Sequence, residues 1–101
     1  MIKMGYDCDI LAYDEDMNFI GFIIEDYSLA WFREFNSFIH KKGKRTEKDC
    51  RTFFDSKIAT EFLYDCEKNG LCKEPMYRTS IQVAKTIRDT KSIRYISVSC
   101  C

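Results

Sequence analysis

TEKDCRTFFDSKIATEFLYDCEKNG, residues 46–70, decides how much of the middle of this chain is helix. Thr46 followed three residues later by Asp49 resembles a capping box, in which a hydroxyl and a carboxyl satisfy free N–H groups at a helix start. Behind it Cys50, Phe53, Phe54, Ile58, Phe62, Leu63 and Cys66 recur at three- and four-residue spacing, the period that gathers apolar side chains on one helical face. Asn69-Gly70 reads as a stop, because both residues accept the left-handed backbone of a helix end. The stretch is expected to be helical, with Asp55 and Ser56 as the place where it would divide into two shorter helices.

The segment before it, SLAWFREFNSFIHKKG (28–43), has the same period. Trp31, Phe32, Phe35, Phe38 and Ile39 share one face, with Arg33, Glu34, Ser37 and Lys41 opposite. Asp26 or Ser28 is the expected cap. His40, Lys41 and Lys42 suit the negative end of the helix dipole, and Gly43 is expected in the left-handed conformation. Nearer the start, GYDCDILAYD alternates: Tyr6, Cys8, Ile10 and Ala12 on one face, Asp7, Asp9, Leu11 and Tyr13 on the other. FIGFII (19–24) is rich in aromatic and β-branched residues and pairs back on it across DEDMN. Downstream, LCKEP is a connector. Residues 79–89 fit a helix, with Thr79 and Gln82 as a capping box and Ile81, Ala84 and Ile87 on one face; SIQVAKTI also reads as a strand. Ala84 and Lys85 favour the helix. SIRYISVSC (92–100) is the last strand. The expected fold is α+β in the order ββααβ: a three-stranded antiparallel sheet, made of the N-terminal hairpin and the C-terminal strand, with two to three helices packed on one face.

A chain of 101 residues is one domain, 1–101, since two separate cores would each be too small. With 46% apolar residues, wholesale disorder is excluded. Eleven Ile against four Leu, and ten Lys against six Arg, suit an AT-rich genome such as that of a virus or a low-GC bacterium. Net charge is zero, which excludes a generally basic nucleic-acid binder. Its distribution is uneven: −6 over residues 1–27, +4 over 28–51, −2 over 52–75 and +4 over 76–101. MIKMGYDCD lacks the apolar stretch of a signal peptide, and no run approaches the roughly 18 apolar residues of a membrane span. The expectation is a cytoplasmic protein without membrane contact, whose cysteines stay reduced.

Residues 14–25, DEDMNFIGFIIE, are the main candidate for chemistry. Asp14, Asp16, Asn18 and Glu25 fall at the first, third, fifth and twelfth positions of a calcium loop. The sixth position is Phe19 where that loop needs Gly, and the flanks read as strands, so an acidic hairpin turn is the better reading. A magnesium site on Asp7, Asp9, Asp14 or Asp16 lacks a marked catalytic partner. The cysteines contain no C-x-x-C and the single histidine is His40, so no zinc site is assigned. Cys8, Cys50 and Cys66 read as small apolar residues, and Cys100-Cys101 as a frayed strand end. His40 serves a helix terminus without a catalytic role. No catalytic, cofactor-binding or metal-binding residue is assigned, and no cofactor.

What remains is binding. Tyr13 with Asp14, Glu15 and Asp16 forms an aromatic and acidic candidate surface for another protein or a second copy of this chain, and Tyr27 and Tyr64 are further aromatic anchors. Lys41, Lys42, Lys44, Arg45, Lys48 and Arg51 crowd the expected helix–loop–helix junction and form the candidate nucleic-acid surface. The leading expectation is a small non-enzymatic regulatory protein that docks on a protein partner, of a size suited to a viral or phage accessory protein acting on a host factor. Nucleic-acid binding through residues 41–51 is the alternative.

Overall fold

Alternation and helical period each appear where apolar residues must reach one core, but they divide the chain differently from that expectation. The computed structural model describes residues 7–100. In order these form β1 (Asp7–Tyr13), β2 (Phe19–Ser28), α1 (Arg33–Lys42), β3 (Arg45–Lys48), β4 (Arg51–Asp55), α2 (Lys57–Lys68), α3 (Arg78–Asp89) and β5 (Tyr95–Cys100). Short 3-10 turns, Leu29–Trp31 and Pro75–Tyr77, lead into α1 and α3. The sheet has five antiparallel strands in the order β2-β1-β5-β4-β3, not three. The α+β class holds; the three-stranded ββααβ arrangement does not.

Residues 45–55 account for the difference. Lys48 pairs with Arg51 across a two-residue turn, Asp49-Cys50, whose φ values are 52° and 62°. Positive φ at both central residues is the turn that matches the twist of a hairpin. Thr46 is therefore no helix cap: it pairs with Phe53. Phe53 and Phe54 are neighbours in sequence and both are buried, at 4% and 2% exposure. Successive strand residues point to opposite faces, so each ring fills a different side of the sheet. Phe54 joins the core under the helices, while the Phe53 ring lies 4.8 Å from Tyr13 on the other face. The helical period was carried by residues of two elements. The strand supplies Phe54, and α2 supplies Ile58, Phe62 and Cys66. The boundary between them is held by Asp55 Oδ1, which accepts the Lys57 N–H at 2.9 Å, and by the Ser56 hydroxyl, which donates to Ile93 O at 3.1 Å.

The helical layer joins Phe32, Phe35 and Ile39, Ile58, Ala59, Phe62 and Cys66, and Ile81, Val83, Ala84 and Ile87 to Cys8, Ile10, Ala12, Phe54 and Ile96 of the sheet in one buried cluster. Residues 79–89 are helical, as their Ala and Lys content favours. The expected caps are not used. Neither Asp26 nor Ser28 caps α1, whose first turn begins after Phe32, and Thr79 lies inside α3. One free N–H of α1, that of Phe35, is instead taken up by Ser80 Oγ of α3 at 3.2 Å, so two helices share a cap in the core. Gly43 has φ −70° and ψ 140°, an extended conformation and not the left-handed one expected. Its lack of a side chain serves a close approach: a Cβ there would collide with Ile39 O and sit 2.9 Å from Phe54 Cδ1.

Cys8 and Cys100 stand opposite one another on β1 and β5 and are joined by a disulfide. Cys8 does pack in the core, at 1% exposure, but as half of a cross-link and not as a free thiol. Bonds of this kind persist in oxidising surroundings, contrary to the reduced state expected for the cysteines. Cys100 belongs to a paired strand, and Cys101 lies outside the described residues. Cys50 is exposed at the turn, whereas Cys66 is buried as its helical position implies. Burial, followed by the nearby Cys72 and Asp65, pushes the Cys66 thiol up to about 11. Among the described residues no helix is long and apolar enough to cross a membrane.

Candidate binding surfaces

The acidic turn is held by its own first carboxylate. Asp14 Oδ1 accepts the N–H groups of Asp16 and Asn18, both at 2.9 Å, and Met17 occupies the left-handed region at φ 64°. Glu25 lies well along β2, carried to the far end of the hairpin from Asp14, so the twelve positions do not close around one point. Among the described residues no group of three His, Cys, Asp or Glu side chains is placed to hold a metal ion. Glu15 reaches toward Arg94, with 3.9 Å between Oε2 and Nη2, and Asp16 is exposed.

Tyr13 does not stand out from the surface. It is buried at 2% exposure, and its hydroxyl meets Ser97 Oγ of β5 at 3.0 Å. The ring is the middle of an aromatic row on the face of the sheet opposite the helices. Phe22 meets Phe19 edgewise at 5.2 Å, Phe19 meets Tyr13 at 6.0 Å, and Tyr13 meets Phe53. The row surfaces on β2, where Phe19 is 51% and Phe22 50% exposed, with Ile20 also exposed beside them. Sequence reasoning missed these two rings because FIGFII reads equally well as a strand covered on both faces. The available signal was its richness in large apolar groups, more than a hairpin with one covered face requires. Tyr27 and Tyr64 are exposed as expected, away from this row.

The six basic candidates divide. Lys41 and Lys42 end α1, and Lys42 borders, with Lys44 and Lys57, a hollow that also contains Asp55 and Glu61. Lys48 and Arg51 border a hollow with Glu47 and Asp49 at the β3–β4 turn. Arg45 and Arg51 both line a cleft of about 400 Å³ between β4 and β5, but they stand on opposite faces of the sheet: Arg45 is paired with Phe54 on the helix side, and Arg51 shares the side of Phe53. The cleft exists because the two strands part: after Phe54–Ile96 their pairing stops, while β5 continues along β1 to Cys100. Arg45 is held in place by its Nη2–H bond to His40 O at 2.8 Å and by the Phe54 ring beneath it, 5.8 Å from the guanidinium carbon. His40 packs edgewise on the same ring and donates from Nδ1 to Asn36 O at 2.8 Å, which leaves Nε2 as its free ring nitrogen. Tyr13, Thr52, Ser97 and Ser99 complete the walls, with the Tyr13 hydroxyl bonded to Ser97 Oγ, and among the described residues no Asp or Glu lines them.

Comparison with known protein families, with curated proteins and with solved structures finds no match to this chain. Any functional reading therefore rests on the two surfaces just described, the aromatic hairpin and the arginine cleft.

Proposed function

We propose that this chain is a non-enzymatic binding protein whose docking surface is the outer strand β2, and that its partner is an extended, basic segment of another protein. The observation that carries the reading is the half-exposure of Phe19 and Phe22 on a strand at the end of the sheet order. An edge strand offers unpaired backbone groups, and exposed aromatics beside it supply anchor area for an added strand. Acidic residues frame both ends, Glu15 and Asp16 before the strand and Glu25 and Asp26 within it, all exposed. A second copy paired antiparallel on β2 would bring these acidic ends against one another, so charge favours a Lys- or Arg-flanked partner over self-association.

The test is fluorescence anisotropy with labelled extended peptides that share a Val-Thr core and carry either Lys or Glu flanks. Binding of the Lys-flanked peptide alone is expected, weakened by Phe22→Ser and by joint charge reversal at Glu15 and Asp16. Asp14 is left in place because it holds the turn, and Tyr13 because it is core. Equal binding of both peptides, or binding indifferent to Phe22→Ser, refutes the reading.

A further inference from the structure

Away from β2, the parting of β4 from β5 opens the sheet from within, and what it offers does not depend on the docking surface of β2. We infer that this gap is a slot for an added strand: an extended acidic segment of a partner protein, seated between β4 and β5 by backbone hydrogen bonds.

The register shows which groups are left open. The Ser56 N–H donates to Arg94 O at 3.0 Å, and two residues along each strand Phe54 pairs with Ile96. Residues of an antiparallel pair that exchange hydrogen bonds recur at every second position, so the next such pair would be Thr52 with Val98. It does not form. The pairing of β4 with β5 ends at Phe54–Ile96, although β4 reaches back to Arg51 and β5 runs on to Cys100. Nor are these groups turned to the outer neighbours. The Asp55 N–H donates to Lys44 O at 3.2 Å, so by alternation Phe53 and Arg51 are the residues of β4 that serve β3. Val98 faces away from β1 by the same alternation, since it follows Ile96 by two. Thr52 and Val98 each present an N–H and a C=O to the gap, with no strand to receive them, and such groups call for partners.

The lining shows that the gap passes through the sheet. Thr52, Phe54 and Val98 stand on its helix side and Tyr13, Ser97 and Ser99 on the other, yet all border one space of about 400 Å³. An extended segment sends its side chains alternately to both faces, which is what such a slot accepts. Entry is from the end marked by Arg51 and Cys100, because the opposite end is closed by the Phe54–Ile96 pair. Since β4 and β5 are antiparallel, the added strand lies parallel to one and antiparallel to the other.

Charge selects the occupant. Among the described residues no Asp or Glu borders the slot, and Arg45, on its helix side, has no ion pair. Its guanidinium is already held by His40 O and lies over the Phe54 ring, so a carboxylate on the helix-side position of the segment meets an oriented partner. Arg51 stands on the opposite face and shares a hollow with Glu47 and Asp49, so the preference rests on Arg45. On that opposite face Ser97 and Ser99 leave room for small polar side chains. The segment expected is therefore alternating, Glu or Asp with Ser or Thr.

The test is ¹H–¹⁵N spectroscopy with amide exchange on the intact protein and three acetylated hexapeptides: alternating Glu-Thr, alternating Lys-Thr, and Glu-Thr with every second amide methylated. The Thr52 and Val98 amides of the free protein should exchange as those of an open edge, and the Glu-Thr peptide should slow them by about tenfold or more. The Lys-Thr peptide should leave these two amides unchanged, and so should the methylated one, because both edges of an inserted strand are bonded. Arg45→Glu should weaken Glu-Thr binding by about tenfold or more, whereas Arg45→Lys, which keeps the charge, should retain most of it; the same spectra show that each variant is folded. Phe22→Ser should have no effect, which separates this slot from the β2 surface. Slow exchange of Thr52 and Val98 in the free protein overturns the inference, because the strands then close on one another. Equal protection of these amides by the Glu-Thr and Lys-Thr peptides overturns it too, as does binding indifferent to methylation. A short oligothymidylate that shifts the same amides and displaces the peptide overturns it in favour of nucleic acid.

Discussion

Breaking the Cys8–Cys100 bond should destabilise the fold more than any single side-chain change. The two cysteines are 92 residues apart in sequence, so the cross-link closes nearly the whole described chain into a loop. Loop-closure entropy for that length is worth about 4.6 kcal/mol against the unfolded state. Domains of this size are stable by about 5–15 kcal/mol in total, so the reduced protein should retain a fold but with a large share of its margin gone. The native contacts themselves change little on reduction, because β1 and β5 remain paired over six residue pairs. In guanidinium chloride, with a slope of about 3 kcal/mol per M, the loss corresponds to a midpoint lower by about 1.5 M. The assay is equilibrium unfolding followed by far-ultraviolet circular dichroism, with and without reductant. A Cys8→Ala/Cys100→Ala variant should unfold near the reduced parent in both conditions. Coincident midpoints for oxidised and reduced protein would refute the reasoning, and so would a sensitivity to reductant that persists in the double variant.

Three smaller perturbations probe the interior. Ser80→Ala removes the acceptor that α3 lends to the Phe35 N–H and should cost about 1 kcal/mol in the same unfolding assay; no change would mean that this N–H finds another partner. Gly43→Ala places a methyl group against Ile39 O and the Phe54 ring, and should destabilise by about 1–3 kcal/mol although its backbone angles suit alanine; a more stable variant would show that the approach is looser than described. Cys66, pushed up to about 11 by burial, should resist iodoacetamide in the native state while the exposed Cys50 and Cys72 react, as peptide mass spectrometry would record. The linked effect has a definite sign. Below the ordinary thiol value of 9.0 the folded and unfolded states both keep the proton; between 9.0 and about 11 only the unfolded state releases it, so stability should fall across that window, and less steeply in Cys66→Ala.

Where local pattern carries the information, the sequence was legible. The β1–β2 hairpin declares itself by alternation around an acidic turn, α1 by its period, α3 by Ala84 and Lys85, which favour a helix where the pattern alone also fits a strand, and β5 by its run of β-branched and aromatic residues. The β3–β4 hairpin does not. All four residues of β3 are exposed, so it has no buried face to alternate, and its turn uses Asp49-Cys50 where Asn-Gly would have announced a hairpin. Phe53 and Phe54 then join the count of the helix that follows. The candidate surfaces were half legible for a related reason. Arg45 and Arg51 stood out as basic residues, but their meeting with Ser97 and Ser99 is made by the strand order, which brings together segments far apart in sequence. The Cys8–Cys100 pairing depends on register in the same way.

That strand order also has a consequence for how the protein is made. The sheet consists of two hairpins, β1–β2 and β3–β4, that touch through β5, the last of the five strands to be synthesised and the central one in space. During translation both hairpins leave the ribosome without the strand that unites them, and they wait while the residues of α2 and α3 are added, a matter of several seconds at roughly 5–20 residues per second. Through that interval the inner edges of β1 and β4 are open to other chains. A nascent polypeptide stalled before Tyr95 would therefore be two separate ribbons with a helical cap, and a chaperone or a neighbouring ribosome's product would meet edges that the finished protein hides.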